Sequence, residues 1–285
     1  MTTTHSLPSR GIESVTDRTL IGADSQVDKK AIVLPPGDPS ATDPFLALME
    51  DWFSTVGFDW HPHRGIETIT YVLDGELQHR DNRGGHGVLA AGDVQWMTAG
   101  RGLLHAETAF EGRQVHTLQL WLNLPAADKL VEPGYQDLRA AAMPLRTGPG
   151  YVVKVFSGRS GDVVGPARNH VPVTMIDATV DPGATVEQEI PSHQEGFAYI
   201  LRGNGEFGRD TAHSGQAVHL EPSPGEPTAL QVRNTGAEPL HFLLWTGVPL
   251  HEPVAMGGPF VMNTRAELEQ AVRDYQAGEF GPMPK

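Results

Sequence analysis

The sequence predicts an all-β chain made of two similar units in tandem, and three observations carry that prediction. First, the 285 residues include 32 Gly and 23 Pro spread along the whole length. Such punctuation suits many short strands joined by turns. Second, short apolar or alternating runs recur, among them "ETITYVL", "GDVQWMTAG", "HTLQLWLNL", "YVVKVFSG", "EGFAYILRG" and "HFLLWTG". They are rich in β-branched and aromatic residues and are bounded by turn formers. Third, the chain repeats itself. Glu67 begins "ETITYVLDG", which ends at Gly75, and Glu195 begins "EGFAYILRG", which ends at Gly203. Tyr71 and Tyr199 correspond, and each copy is followed by a further Gly-led strand, from Gly92 and from Gly215. Two related β units predict a duplicated barrel or sandwich.

Two segments read as exceptions. "DPFLALMEDW" around residue 48 reads as a short helical turn. "NTRAELEQAVRDYQAGEFG" reads as a helix, with Thr264 as N-cap, Glu267 completing a capping box and Gly278 as the stop. A polar, Pro-containing stretch from 125 to 144 lacks a convincing strand and reads as the connection between the units. The expected domains are therefore 1–130 and 149–285, with 131–148 as linker.

Composition limits the functions. The net charge is −14, which disfavours phosphate backbones and anionic membranes and leaves room for a specific basic partner. The chain has no cysteine, so disulfides and thiolate metal sites are excluded. The N-terminal stretch has no apolar core of a secretory signal, and no run approaches a membrane span, so a cytoplasmic location is expected.

The chemistry concentrates in "WHPHRGIE" and "GRGLLHAET". On an extended strand, residues two apart share a face. His61 and His63 then point the same way, with Glu67 as a further same-parity candidate, and Pro62 marks an irregular start. His105 and Glu107 form a second such pair. If both segments are extended, two strands each offering a pair can converge on one ion with three imidazoles and one carboxylate. That donor set suits Fe(II), Mn, Ni, Cu or Zn, and on an octahedral ion it leaves two positions open. In the second copy, Glu189 and Pro191 replace His61 and His63, and Thr228 and Leu230 replace His105 and Glu107, so one metal site is expected, in the first half. His193 is a weak remnant. Taken alone, an H-x-H pair is an ordinary surface feature, and Glu67 reads equally as a strand-face charge or a partner of a ligand histidine. His79, His86 and His116 read as ordinary polar residues, and Trp96 and Met97 as core. "RGGHG" lacks the following helix of a phosphate loop.

"HPHRGIETITYVLDGELQHRDNRGGHG", then "GDVQWMTAGRGLLHAE", and the C-terminal "GGPFVMNTRAELEQAVRDYQAGEFG" together resemble the pirin family of the cupin superfamily, over about residue 45 to the end. The resemblance implies two tandem cupin barrels (double-stranded β-helix, or jelly-roll) with a short C-terminal helix, in a monomer. It implies one mononuclear metal, Fe(II) first, held by His61, His63, His105 and Glu107, with Glu67 behind the ligands. Trp60 departs from the smaller or polar residue expected there and is expected to narrow the pocket mouth. Some pirins are similar to quercetin dioxygenases, which implies an aromatic substrate, O2, and Glu107 as general base. Other pirins resemble iron-dependent redox regulators, which implies a transcription factor or metabolic enzyme as partner. Direct nucleic-acid and membrane contacts are not expected.

Overall fold

The computed structural model describes residues 7–39, 41–54, 57–223 and 225–283. Strands dominate, and the described residues contain one α-helix, Arg265–Gln276. The chain forms two compact units, one of residues 19–142 with 250–285 and one of residues up to 18 with 143–249.

Both units follow one plan. The first has a seven-stranded sheet in the order Gly134–Leu138, Val94–Thr98, Ile66–Asp74, Val115–Asn123, Phe45–Phe53, Lys29–Leu34, Thr19–Ile21. Its second sheet runs Phe58–His63, Leu103–Ala109, Glu76–Asp81, His86–Ala90. The other unit has seven strands in the order Ile12–Asp17, Gln216–Leu220, Glu195–Arg202, Leu240–Gly247, Val173–Val180, Tyr151–Ser157, Leu145–Gly148. Its second sheet runs Thr185–Ile190, Thr228–Asn234, Asn204–Phe207, Asp210–His213. The repeated strands Ile66–Asp74 and Glu195–Arg202 are third in their sheets. Each ends at a glycine with positive φ, Gly75 at 76° and Gly203 at 80°. A Cβ at Gly75 would sit 2.3 Å from the Gln114 carbonyl oxygen, so both the turn and the close approach require glycine there.

In each unit the two sheets close over apolar side chains. Val72 and Val115 of the first unit's long sheet meet Leu77, Leu89 and Ala109 of its short sheet. Val155, Ile176 and Phe242 of the second meet Phe207, Leu230 and Val232.

Three readings need correction. Residues 45–53 form a strand, not a helical turn. That strand lies between two others and buries both faces, so its solid apolar run lacks the alternation that marks a half-exposed strand. The connecting stretch contains the strand Gly134–Leu138, which pairs with Val94–Thr98 at the sheet edge, where polar residues are tolerated. The chain ends also cross the expected boundaries. Ile12–Asp17 pairs with Gln216–Leu220, and residues 250–285 return to the first unit.

The helix forms as its caps predict. Thr264 Oγ1 accepts from the Glu267 N–H at 3.2 Å, the Glu267 carboxylate accepts from the Thr264 N–H at 2.8 Å, and Gly278 follows with φ of 79°. Ala271 is buried on Leu104, Phe260 and Phe280, with Leu268 and Tyr275 alongside. Arg64 fastens the helix through Asp274 at 2.6 Å. Lys129 fastens the segment before it. Its buried ammonium donates to the Gly65 carbonyl at 2.7 Å, Asn123 Oδ1 at 2.5 Å and the Val261 carbonyl at 3.0 Å. Burial pulls its pKa down to about 7, against the opposing pull of Glu252 and Glu267.

Lys129→Met should cost about 2–4 kcal/mol in urea unfolding, because it orphans three buried acceptors at once. The pH dependence has a definite sign. Between about pH 7 and the ordinary lysine range the unfolded chain holds a proton that the folded chain has released. Wild-type stability therefore rises with pH across that window relative to the variant. Parallel pH slopes in the two proteins would contradict this.

Candidate metal centre

The strands Phe58–His63 and Leu103–Ala109 run antiparallel, with His61 opposite His105 and His63 opposite Leu103. Strand alternation turns His61 and His63 to one face, and the register brings His105 to them. The ring centroids are 4.9 Å apart for His61 and His63, 4.3 Å for His61 and His105, and 5.1 Å for His63 and His105. One nitrogen from each imidazole lies within 4.8 Å of the others.

His61 is half-buried, and its Nδ1–H donates to the Asp59 carbonyl at 2.7 Å. That bond fixes the proton on Nδ1 and leaves the Nε2 lone pair free. His63 and His105 are buried, and none of their four ring nitrogens makes a hydrogen bond. Burial first, then the neighbouring imidazoles, hold both well below the usual histidine range. The Pro259 carbonyl opposes the shift at His63 without reaching hydrogen-bond geometry. Both rings are thus neutral donors with lone pairs to offer. A buried polar atom without a partner costs about 1–3 kcal/mol. A metal ion accepting one nitrogen from each ring is a partner that fits this donor set.

Glu107 is buried but stands outside the group of three. Its Oε1 accepts from Thr70 Oγ1 at 3.0 Å and its Oε2 from Gln119 Nε2 at 2.7 Å. The pairing shifts register between His105 and Glu107, so that Glu107 lies opposite Phe58. Glu67 does not share the face of His61 and His63. The strand ends at His63, the chain turns through Gly65 at φ of 78°, and Glu67 enters the other sheet, opposite Thr98 and Leu122. Its Oε1 accepts from Thr98 Oγ1 at 2.6 Å. Trp60 does not narrow the pocket. It occupies the alternate face and packs against Leu104, Phe260 and Phe280, with the Arg80 guanidinium 5.8 Å from its ring.

A cavity of about 770 Å³ opens on the centre. Its wall includes His61, His63, Phe58, Met49, Trp121 and Met256. The Trp121 ring meets His63 edge-on at 5.4 Å, and its N–H donates to Gln119 Oε1 at 3.2 Å. Gln119 thus links the cavity wall to Glu107, a role that its place in an apolar strand gives no sign of.

His79, read as an ordinary polar residue, is fully buried with its ring 5.4 Å from that of His105. Its nitrogens make no hydrogen bond, and Nε2 lies 3.8 Å from Asp81 Oδ2. The signal was the alternation Leu77, His79, Asp81, all inward on one strand. His116 stacks on Trp52 and bonds Glu50 at 2.8 Å, His86 is exposed, and Trp96 and Met97 are core, in keeping with their plain readings. In the second unit Thr228 lies opposite Ile190, and Glu189, exposed on its strand, lies opposite Ala229, so the expected replacements of His61 and His105 do not face each other. The buried Arg10 donates to Thr228 Oγ1 at 2.6 Å and to the Pro191 carbonyl at 3.4 Å. His193 is exposed.

Comparison with known proteins identifies the family. The Pirin family model matches residues 36–122, and the model of the Pirin C-terminal cupin domain matches residues 175–281. The "Pirin-like protein" of Solanum lycopersicum is 39% identical over 99% of this chain and 96% of its own length. "Pirin" of Homo sapiens is 40% identical over 84% of this chain and 83% of its own. The crystal structure of a quercetin 2,3-dioxygenase from Acinetobacter baumannii superposes with a TM-score of 0.87 at 28% identity, covering 97% of this chain and all of that one. Both cupin domains of the fold are therefore present, the imidazole cluster lies in the first, and the chain belongs to the pirin family of the cupin superfamily.

Proposed function

We propose that this protein is a metal-dependent dioxygenase that cleaves a flavonol such as quercetin with O2. The observation that carries the proposal is the meeting of three imidazoles, two of them on the wall of a mainly apolar cavity of about 770 Å³. The similarity to a quercetin 2,3-dioxygenase supports the choice of substrate. His61, His63 and His105 would hold the metal, with Glu107 as the carboxylate beside them. Fe(II) is the first choice, and Mn, Ni, Cu or Zn suit the same donors. A metal held there would supply Lewis-acid and redox chemistry toward the flavonol oxygen and O2.

The protein's own groups do the rest. Phe58, Met49, Trp121 and Met256 offer flat or soft apolar surface to an aromatic ring system and exclude water. Thr70 and Gln119 grip both oxygens of Glu107, which fixes where the carboxylate can meet a hydroxyl. Glu107 takes the proton of the flavonol 3-hydroxyl as general base, and the substrate becomes the electron-rich anion that reacts with O2. Trp121 holds Gln119, so the base is positioned by the wall that receives the substrate.

His63→Ala and His105→Ala should each lose bound metal, read by elemental analysis, and quercetin-dependent O2 uptake together. Metal retained at wild-type level in both would remove these residues from the ligand set. Glu107→Gln should lower kcat by about 10²–10⁴-fold, with a few-fold change in KM. Unchanged turnover would remove the base role. If iron-loaded wild type binds metal through the histidines yet consumes no O2 with quercetin, the dioxygenase reading fails. The redox-regulator reading then takes its place, tested by oxidation-dependent pull-down of a protein partner.

A further inference from the structure

The cavity floor is one face of the long sheet, and its register gives it a gradient of polarity. Strand pairing sets Ala47 beside Trp121, then Met49 between Ile32 and Gln119, then Asp51 opposite Lys30. All of these but Asp51 and Lys30 are uncharged, and all line the cavity. Successive rows on one face stand about 7 Å apart. Gln119, which donates to Glu107, stands one row from Asp51, so the charged row lies about 7 Å along the floor from the residue that holds that carboxylate.

Asp51 is 2% exposed. Its Oδ1 makes no hydrogen bond, and the Lys30 ammonium stands 3.8 Å away, beyond hydrogen-bond reach. Lys30 also faces Asp24 at 3.6 Å, and its ammonium lies 5.5 Å from the Phe58 ring. Burial lifts the Asp51 carboxyl to about 7, against the pull of Lys30. A buried carboxyl beside a cation that it does not bond is costly for a fold and useful for a ligand. No part of the proposed proton transfer uses it.

We propose that Lys30 and Asp51 form the specificity pole of the cavity and bind a phenolic hydroxyl on the ring of the substrate remote from the metal. One O–H serves both groups, donating to Asp51 and accepting from Lys30. The spacing selects planar aromatics of two or more rings with a hydroxyl at each end, and it disfavours single-ring catechols. The inference rests on the flavonol reading of the same site and extends it.

Two probes separate the claims. Quercetin carries hydroxyls on its outlying rings, whereas 3-hydroxyflavone keeps only the hydroxyl and carbonyl that would face the metal. Dissociation constants for both are measured without O2 by tryptophan fluorescence, on iron-loaded and metal-free protein. The proteins compared are wild type, Asp51→Leu, the isosteric Asp51→Asn, and Lys30→Met. Wild type should bind quercetin at least about 10-fold tighter than 3-hydroxyflavone. Asp51→Leu and Lys30→Met should bring that ratio to within about twofold, and Asp51→Asn should leave it between, all with wild-type metal content. A ratio unchanged in both Asp51→Leu and Lys30→Met overturns the proposal, as does binding of neither probe to wild type. Selective quercetin binding lost in Asp51→Leu, with no turnover in air, supports the pole while the dioxygenase reading fails.

Discussion

The pairing of Phe58–His63 with Leu103–Ala109 places His61 opposite His105, and the cluster of three imidazoles depends on that register. A slip of one residue would turn His61 and His63 to the face that packs against Phe260 and Phe280, and would bring Trp60 and Pro62 into the cavity. Apolar residues on both faces guard against the slip. Leu103 and Leu104 are each buried, in different clusters. Lys129 and Arg64 pin the turn that follows His63 to the C-terminal segment. The frame therefore holds buried imidazoles that lack hydrogen-bond partners, a cost that a metal bound as proposed would relieve.

The duplicated plan shows how one fold is used twice. Both units keep the turn glycines, the order of the strands and the two-sheet core. They differ in their buried polar side chains. Arg10, which precedes the edge strand Ile12–Asp17, bonds Thr228 and the carbonyls of Gln194 and Glu221. A side-chain cation satisfies the oxygen acceptors of the second unit, whereas the first unit presents nitrogen lone pairs.

The fold was legible wherever spacing was local. Alternation revealed the strands, the repeat revealed the duplication, and Thr264 with Glu267 revealed the helix start. The convergence of His61, His63 and His105 was legible because period two applies within each strand. The strand at 45–53 was not, since burial on both faces erases alternation. The place of Glu107 depends on a register shift, and that of Glu67 on a turn at Gly65, and neither interrupts the polarity pattern. Gln119, Lys30 and Asp51 enter the site from strands distant in sequence, and His79 shows its side only once its neighbours Leu77 and Asp81 are seen to face inward.

In the proposed function one metal ion is bound by the three imidazoles of the first unit. Metal K-edge X-ray absorption on the anaerobically loaded protein, beside His105→Ala, reads that binding. The predicted spectrum of the wild type shows the multiple scattering of three imidazoles, weakened or lost in the variant. A first shell of oxygen alone, or a spectrum identical in the two proteins, would contradict it.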